Sequence, residues 1–149
     1  MTVRNTYRRD VDCARADETV RVAAQRMQQR SVGSLVVTDA FDVPIGIVTD
    51  RDLVIRALAT ANDPNEQTLA DVMTSPVVTV GEEATIDETL EVMRTRGCRR
   101  LPVVDDAGRL SGILTLDDVL MRAYKQFEGV AAILHEESPR FGFSFGPSS

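Results

Sequence analysis

The sequence predicts an α/β (α+β) fold built from two β-α-β-β-α units packed sheet to sheet with pseudo-twofold symmetry. Three observations predict it. Shifted by 66 residues, Arg4–Leu58 overlies Ala70–Tyr124 without a gap, and 13 of the 55 pairs are identical, among them Met27/Met93, Leu35/Leu101, Gly46/Gly112, Thr49/Thr115 and Asp52/Asp118. A self-overlay of this length marks one supersecondary unit used twice. Within each copy, strand-like and helix-like apolar spacing follow one another in the same order. Finally, the runs Leu35-Val36-Val37 and Val103-Val104 are apolar on both faces. That suits sheets covered by helices on one side and by the other copy on the other.

The second copy shows its elements most clearly. Val77-Val78-Thr79-Val80, after Pro76, is a short β-rich run. Thr85 precedes Ile86, Leu90, Met93 and Gly97, spaced along one helical face, and Thr85 with Glu88 makes a capping-box pattern. Gly97 ends that helix. Leu101-Pro102-Val103-Val104 reads as a strand, Asp105-Asp106-Ala107-Gly108 as a turn, and Leu110–Leu114 as the returning strand of a hairpin. A second helix starts near Thr115 and carries Val119, Leu120, Ala123, Tyr124 and Phe127. The first copy repeats this order: a strand at Val11–Ala14, a helix at Thr19–Arg30, a hairpin of Ser34–Val37 with Ile45–Val48, and a helix from Asp50 to Leu58.

These elements divide the chain into a first repeat at 1–62, a linker at 63–75, a second repeat at 76–127 and an extension with a Phe-rich tail at 128–149. The linker holds a turn cluster around Asp63-Pro64 and a short helical piece, Leu69–Met73, capped by Thr68 with Asp71. The extension continues as a helix through Gly129–Glu137 until Ser138-Pro139. Beyond it, Phe141, Phe143 and Phe145 share one face if extended. They suit docking on a partner subunit or on the protein's own groove, and the intervening glycines and serines equally suit disorder.

Bulk properties exclude several classes. The chain is 43% hydrophobic and 27% charged, and no apolar run approaches the ~20 residues that span a bilayer. The polar start, Met1 to Arg9, does not read as a signal peptide. A cytoplasmic protein with no membrane partner is expected. The net charge of −6 argues against broad nucleic-acid binding, which needs a basic face. The two cysteines, Cys13 and Cys98, and the single histidine, His135, form no CxxC or HxxxH spacing, so no metal site is expected. Both cysteines sit among apolar residues and read as small buried hydrophobes. His135 reads as a surface helix residue. With no P-loop, no Ser/His/Asp set and no metal cluster, an enzyme is not expected.

The tandem order of elements, with Leu101-Pro102-Val103-Val104-Asp105 and Gly46-Ile47-Val48-Thr49-Asp50-Arg51-Asp52 in register across the copies, resembles a pair of CBS domains, a Bateman module of the stand-alone prokaryotic kind. The resemblance implies an adenosine-containing ligand (AMP, ADP, ATP, NAD or S-adenosylmethionine) bound in two clefts between the repeats. It also implies a homodimer and an unidentified regulated protein. No cofactor is required; an adenine nucleotide enters as a ligand.

The shared Gly-φ-φ-Thr-x-x-Asp string, with φ apolar, has its own chemistry. Thr49 and Thr115 end a strand where a helix begins, so free backbone N–H groups and the positive end of the helix dipole suit a phosphate. Asp52 and Asp118, one turn in, can accept from the two hydroxyls of a ribose. The resemblance assigns these residues as phosphate and ribose contacts. Spacing alone favours a capping box for Thr-x-x-Asp, the resemblance favours the ligand role for Asp52, and both roles can coexist.

The copies differ at this string. The first carries Asp50 and Arg51, and Arg51 can neutralise phosphate. The second has Leu116 and Asp117 there, and Asp117 adds a like charge. Arg99 and Arg100, which replace Gly33 and Ser34, can serve either cleft. The resemblance places the adenine pocket at Cys13 and Val36 in one copy and Thr79 and Pro102 in the other. The Thr49–Asp52 cleft is expected to be the better phosphate site. The function expected is a sensor that binds an adenosine ligand and modulates a partner. The alternative is a ligand-free interaction module acting through its dimer surface and aromatic tail.

Overall fold

The computed structural model describes residues 1–141, with side chains to residue 135. A 3₁₀ turn, Val3–Asn5, opens the chain. The first repeat follows as β1 (Cys13–Arg15), α1 (Val20–Arg30), β2 (Ser34–Thr38), β3 (Pro44–Thr49) and α2, an α turn at Asp50–Asp52 that runs on as a π-helical segment, Leu53–Leu58. After α3 (Leu69–Val72), the second repeat is β4 (Val80–Gly81), α4 (Ile86–Arg96), β5 (Arg100–Val104), β6 (Leu110–Thr115) and α5 (Leu116–Phe141). Each repeat forms a three-stranded sheet, ordered β1-β2-β3 or β4-β5-β6, with one parallel pair and one hairpin. Both hairpins shift register at the same place, Val37/Thr38 and Val103/Val104.

Local chemistry explains the helix ends. The Thr19 hydroxyl accepts from the Val22 N–H at the start of α1, and Thr85 with Glu88 closes the expected capping box on α4. Both helices end in a left-handed residue. In α4 it is Gly97 at φ 64°, but in α1 it is Ser31 at φ 53°, a conformation that costs a side chain.

Three expectations need correction. The first strands are shorter and later than their β-rich runs: Cys13–Arg15 replaces Val11–Ala14, and Val80–Gly81 replaces Val77–Val80. In the first repeat the Val36 N–H donates to the Asp12 carbonyl at 3.0 Å. The equivalent residue in β5 is Pro102, which has no N–H, so the ladder of β4 begins one residue further on. Helix α5 also carries past Ser138-Pro139 to Phe141. Pro139 withholds only its own N–H from the helical ladder. Lastly, Cys13 and Cys98 are half-buried. Cys13 begins an edge strand, and burial pushes its thiol above the ordinary value. The Phe141/Phe143/Phe145 stripe lies outside the described side chains.

Each repeat builds its own core, and each core borrows from the other repeat's leader. Val3 and Tyr7 pack into the second core with Val80, Met93, Leu101, Val103 and Leu114. Leu69 and Val72 pack into the first core with Ala14, Ala23, Leu35, Val37 and Val48. Val3 and Leu69 are 66 residues apart and both fully buried. The bridges obey the same offset: Thr2 pairs with Thr85 and Thr68 with Thr19, and Arg8 pairs with Ile113 and Thr74 with Ile47. The stretch expected as a linker therefore supplies part of the first core. Gly46 and Gly112 mark where these leaders cross. A Cβ on Gly46 would sit 2.5 Å from the Met73 sulfur, and one on Gly112 would collide with the Tyr7 ring and the Arg8 carbonyl.

Val36, Pro102 and Ile113 are buried yet belong to neither core. Their strand neighbours Leu35, Val37, Leu101, Val103 and Leu114 face inward, so alternation turns these three toward the opposite repeat. The inner sheet faces thus meet as expected.

Candidate functional site

At the junction of the repeats lies a cleft of about 810 Å³. The leader contributes Arg8, Asp10 and Asp12, the β2 start contributes Gly33 and Ser34, and the β5 start contributes Arg99 and Arg100. The β6–α5 corner contributes Thr115, Asp117 and Asp118. Four of the expected site residues, Thr115, Asp118, Arg99 and Arg100, are brought together here.

The corner is a capping box. The Asp118 N–H donates to Thr115 Oγ1 at 3.1 Å, and Asp118 Oδ2 accepts from the Thr115 N–H at 3.1 Å and from Thr115 Oγ1 at 2.8 Å. Capping therefore does not consume the carboxylate: Oδ1 takes no part in the box. Arg8 reaches it from the leader, with Nε 3.3 Å from both Asp118 oxygens. Sequence reasoning missed Arg8, because it lies 110 residues from Asp118 and outside either motif. The hint was in the offset, which sets Arg8 against Thr74. The other acids are mostly matched: Asp12 pairs with Arg30 at 2.7 Å, and Asp117 stands 3.9 Å from Arg99. Arg100 is exposed, with no carboxylate partner among the described residues.

The first-repeat corner has the same box. The Thr49 N–H donates to Asp52 Oδ2 at 2.9 Å, and the Asp52 N–H donates to Thr49 Oγ1 at 3.1 Å. Here Oδ1, outside the box, lies 3.9 Å from Arg56 of its own helix. Asp50 accepts from the Arg51 N–H at 2.8 Å, and Arg51 is exposed. This corner lines neither the 810 Å³ cleft nor a second one of about 390 Å³.

The expected adenine-pocket residues scatter. Cys13 lines a second cleft of about 390 Å³ with Arg9, Arg15, Arg26 and Ser111. In that cleft Arg26 donates to Glu18 at 3.0 Å and to the Cys13 carbonyl at 2.8 Å. The Arg26 bond holds the Glu18 carboxyl below its usual range. Thr79 is half-buried beside β4 and lines neither cleft. Val36 and Pro102 are fully buried where the sheets face each other and present no surface to a ligand. Among the described residues, no group of three or more His, Cys, Asp or Glu is placed to hold a metal, and no helix is long and apolar enough to cross a membrane.

Comparison with known proteins bears on this geometry. The CBS domain model matches twice, at residues 3–58 and 69–125. The uncharacterised protein MK0525 of Methanopyrus kandleri is 38% identical over 142 residues, covering 95% of this chain and 70% of its own. Hypoxic response protein 1 of Mycobacterium tuberculosis is 36% identical over 118 residues, covering 79% of this chain and 82% of its own. The crystal structure of Hypoxic Response Protein I, with two coordinated zinc ions, superposes at a TM-score of 0.74 over 81% of this chain and 98% of its own. The CBS domain pair of MJ0100, in complex with 5′-methylthioadenosine and S-adenosyl-L-methionine, is 26% identical, with a TM-score of 0.71 over 87% of this chain and 97% of its own. Both repeats are thereby matched, and the chain belongs to the CBS-domain family as a tandem pair.

Proposed function

We propose that the protein is a non-enzymatic sensor that binds an adenosine-containing ligand between its repeats and changes its association with a partner. The observation that carries this is the large cleft, where a carboxylate oxygen left unused by the capping box, at a helix start, lies in a wall that also holds Arg99 and Arg100. A ribose hydroxyl donates to Asp118, a phosphate takes the arginines and the Thr115 corner, and adenine lies along the leader. The adenosine ligands of the MJ0100 pair support the ligand class. Binding alters a partner only if it favours one arrangement of the repeats over another. A cytoplasmic location fits such a ligand.

Calorimetric titration with AMP, ATP, NAD and S-adenosylmethionine tests the reading. Binding of at least one is expected, with Asp118→Ala weakening it by about tenfold or more, since a hydrogen bond to a charged group is worth ~1.5–3 kcal/mol. No heat with any of the four at millimolar concentration refutes it.

A second reading, an interaction module working as a homodimer, has its own observation. Val54, Ile55 and Leu58 on the first repeat are exposed, and so are their counterparts Leu120, Met121 and Tyr124 on the second. Two matching apolar patches suit a symmetric partner. Sedimentation of the Leu58→Glu/Tyr124→Glu double variant tests this: a loss of dimer supports it, and an unchanged mass refutes it.

A further inference from the structure

Resting on the ligand reading above, we propose that Arg8 gates the large cleft. It holds the Asp118 carboxylate until a ribose takes that place, and then turns to the ligand's phosphate, so that the cleft selects nucleotides over nucleosides.

Three observations carry the gate. First, Arg8 sits where a ribose must bind. Thr115 donates twice to Asp118 Oδ2 and Arg8 Nε donates to that same oxygen, while also standing 3.3 Å from Oδ1, the oxygen a further donor would take. Second, the guanidinium can move but the backbone cannot. The Arg8 side chain is 62% exposed, whereas the Arg8 N–H donates to the Ile113 carbonyl and the Ile113 N–H returns the bond, both at 2.9 Å. An exposed ion pair is weak enough for a ligand to open. The anchored backbone leaves the released guanidinium within reach of the cleft that Arg99 and Arg100 also line.

Third, the device exists on one side only. At the first corner Thr74 replaces Arg8, and Asp52 meets Arg56 from its own helix. The counterpart of Arg56 is Arg122, which instead donates to the Asn5 carbonyl at 2.9 Å. A neutral diol that displaces Arg8 takes its carboxylate partner, and a phosphate supplies a new one in bidentate geometry. A nucleoside opens the pair and offers nothing in return.

Titration of the wild type, Arg8→Ala and Arg8→Lys with AMP and with adenosine tests this, with melting curves to confirm folding. The wild type should bind AMP about tenfold or more tighter than adenosine. In Arg8→Ala the ratio should fall to about threefold, with adenosine gaining affinity and AMP losing it. Arg8→Lys, a point charge without the fork, should fall between them. If Arg8→Ala leaves both affinities unchanged, or weakens both equally, Arg8 is no gate. Should Arg8→Ala fail to fold, an Arg8→Lys ratio equal to that of the wild type also overturns it. A folded wild type that binds neither compound, nor ATP, NAD or S-adenosylmethionine, overturns the ligand reading itself and the gate with it.

Discussion

The two repeats hold the same Thr-x-x-Asp corner in the same capping box, yet they give its carboxylate different arginines. Asp52 meets Arg56 from one turn along its own helix, and Asp118 meets Arg8 from a leader that crosses over from the start of the chain. One corner is thus a local arrangement and the other is coupled to a distant segment. Equal motifs do not make equal sites, because the difference enters from residues outside the motif. The same lesson holds in the cores, where each repeat is completed by the leader of its partner.

The largest way to break this comparison is to remove the exchanged anchors. Leu69→Ala should cost about 3 kcal/mol and Val3→Ala about 2 kcal/mol, as full burial and cavity formation require. Urea unfolding measures both; leaders that merely decorate the surface would leave the midpoint unmoved. Next come the crossing glycines. Gly112→Ala should cost about 2–3 kcal/mol and Gly46→Ala about 1 kcal/mol. The new methyl at 112 meets a backbone carbonyl and a ring, whereas at 46 its nearest neighbour is the flexible Met73 side chain. Equal losses would mean that the two crossings are equally rigid.

Smaller effects sharpen the contrast between the first helices. Ser31→Gly should raise the stability by about 1 kcal/mol, because Ser31 holds a left-handed conformation that Gly97 adopts freely in the other repeat. Thermal melting reads this, and a drop in midpoint would contradict it. The smallest effect concerns Glu18, whose counterpart is Ala84. Its folded carboxyl lies below the ordinary 4.5, chiefly through the Arg26 hydrogen bond. A depressed acid contributes its stability above the unfolded value and loses it as pH falls through the folded one. Glu18→Gln should therefore flatten the acid limb of stability below about pH 4.5 and cost about 1 kcal/mol or less at neutrality. An unchanged acid limb would show that the pair carries no linkage.

Much of the fold was legible because its signals are short-range. Thr85 with Glu88, Gly97, the Asp105–Gly108 turn and both Thr-x-x-Asp boxes act within a few residues, and each formed where expected. Val77–Thr79 misled because β-rich composition needs a ladder partner, and Pro102 withholds the N–H that would extend it. Of the residues that line the large cleft, Thr115, Asp118, Arg99 and Arg100 were readable from motif and offset. Arg8 was not, and the burial of Val36 and Pro102 follows from two sheets meeting rather than from either strand.

By itself, the sequence determined the repeat, the order of elements, the caps and the matched Thr/Asp corners, since these depend on contacts within a turn or a hairpin. Only the tertiary structure decided which leader completes which core, which corner opens into the large cleft, and which arginine stands at each carboxylate. Those outcomes depend on where the chain crosses between repeats. A crossing is set by packing among residues as far apart as Arg8 and Asp118, which no local pattern encodes.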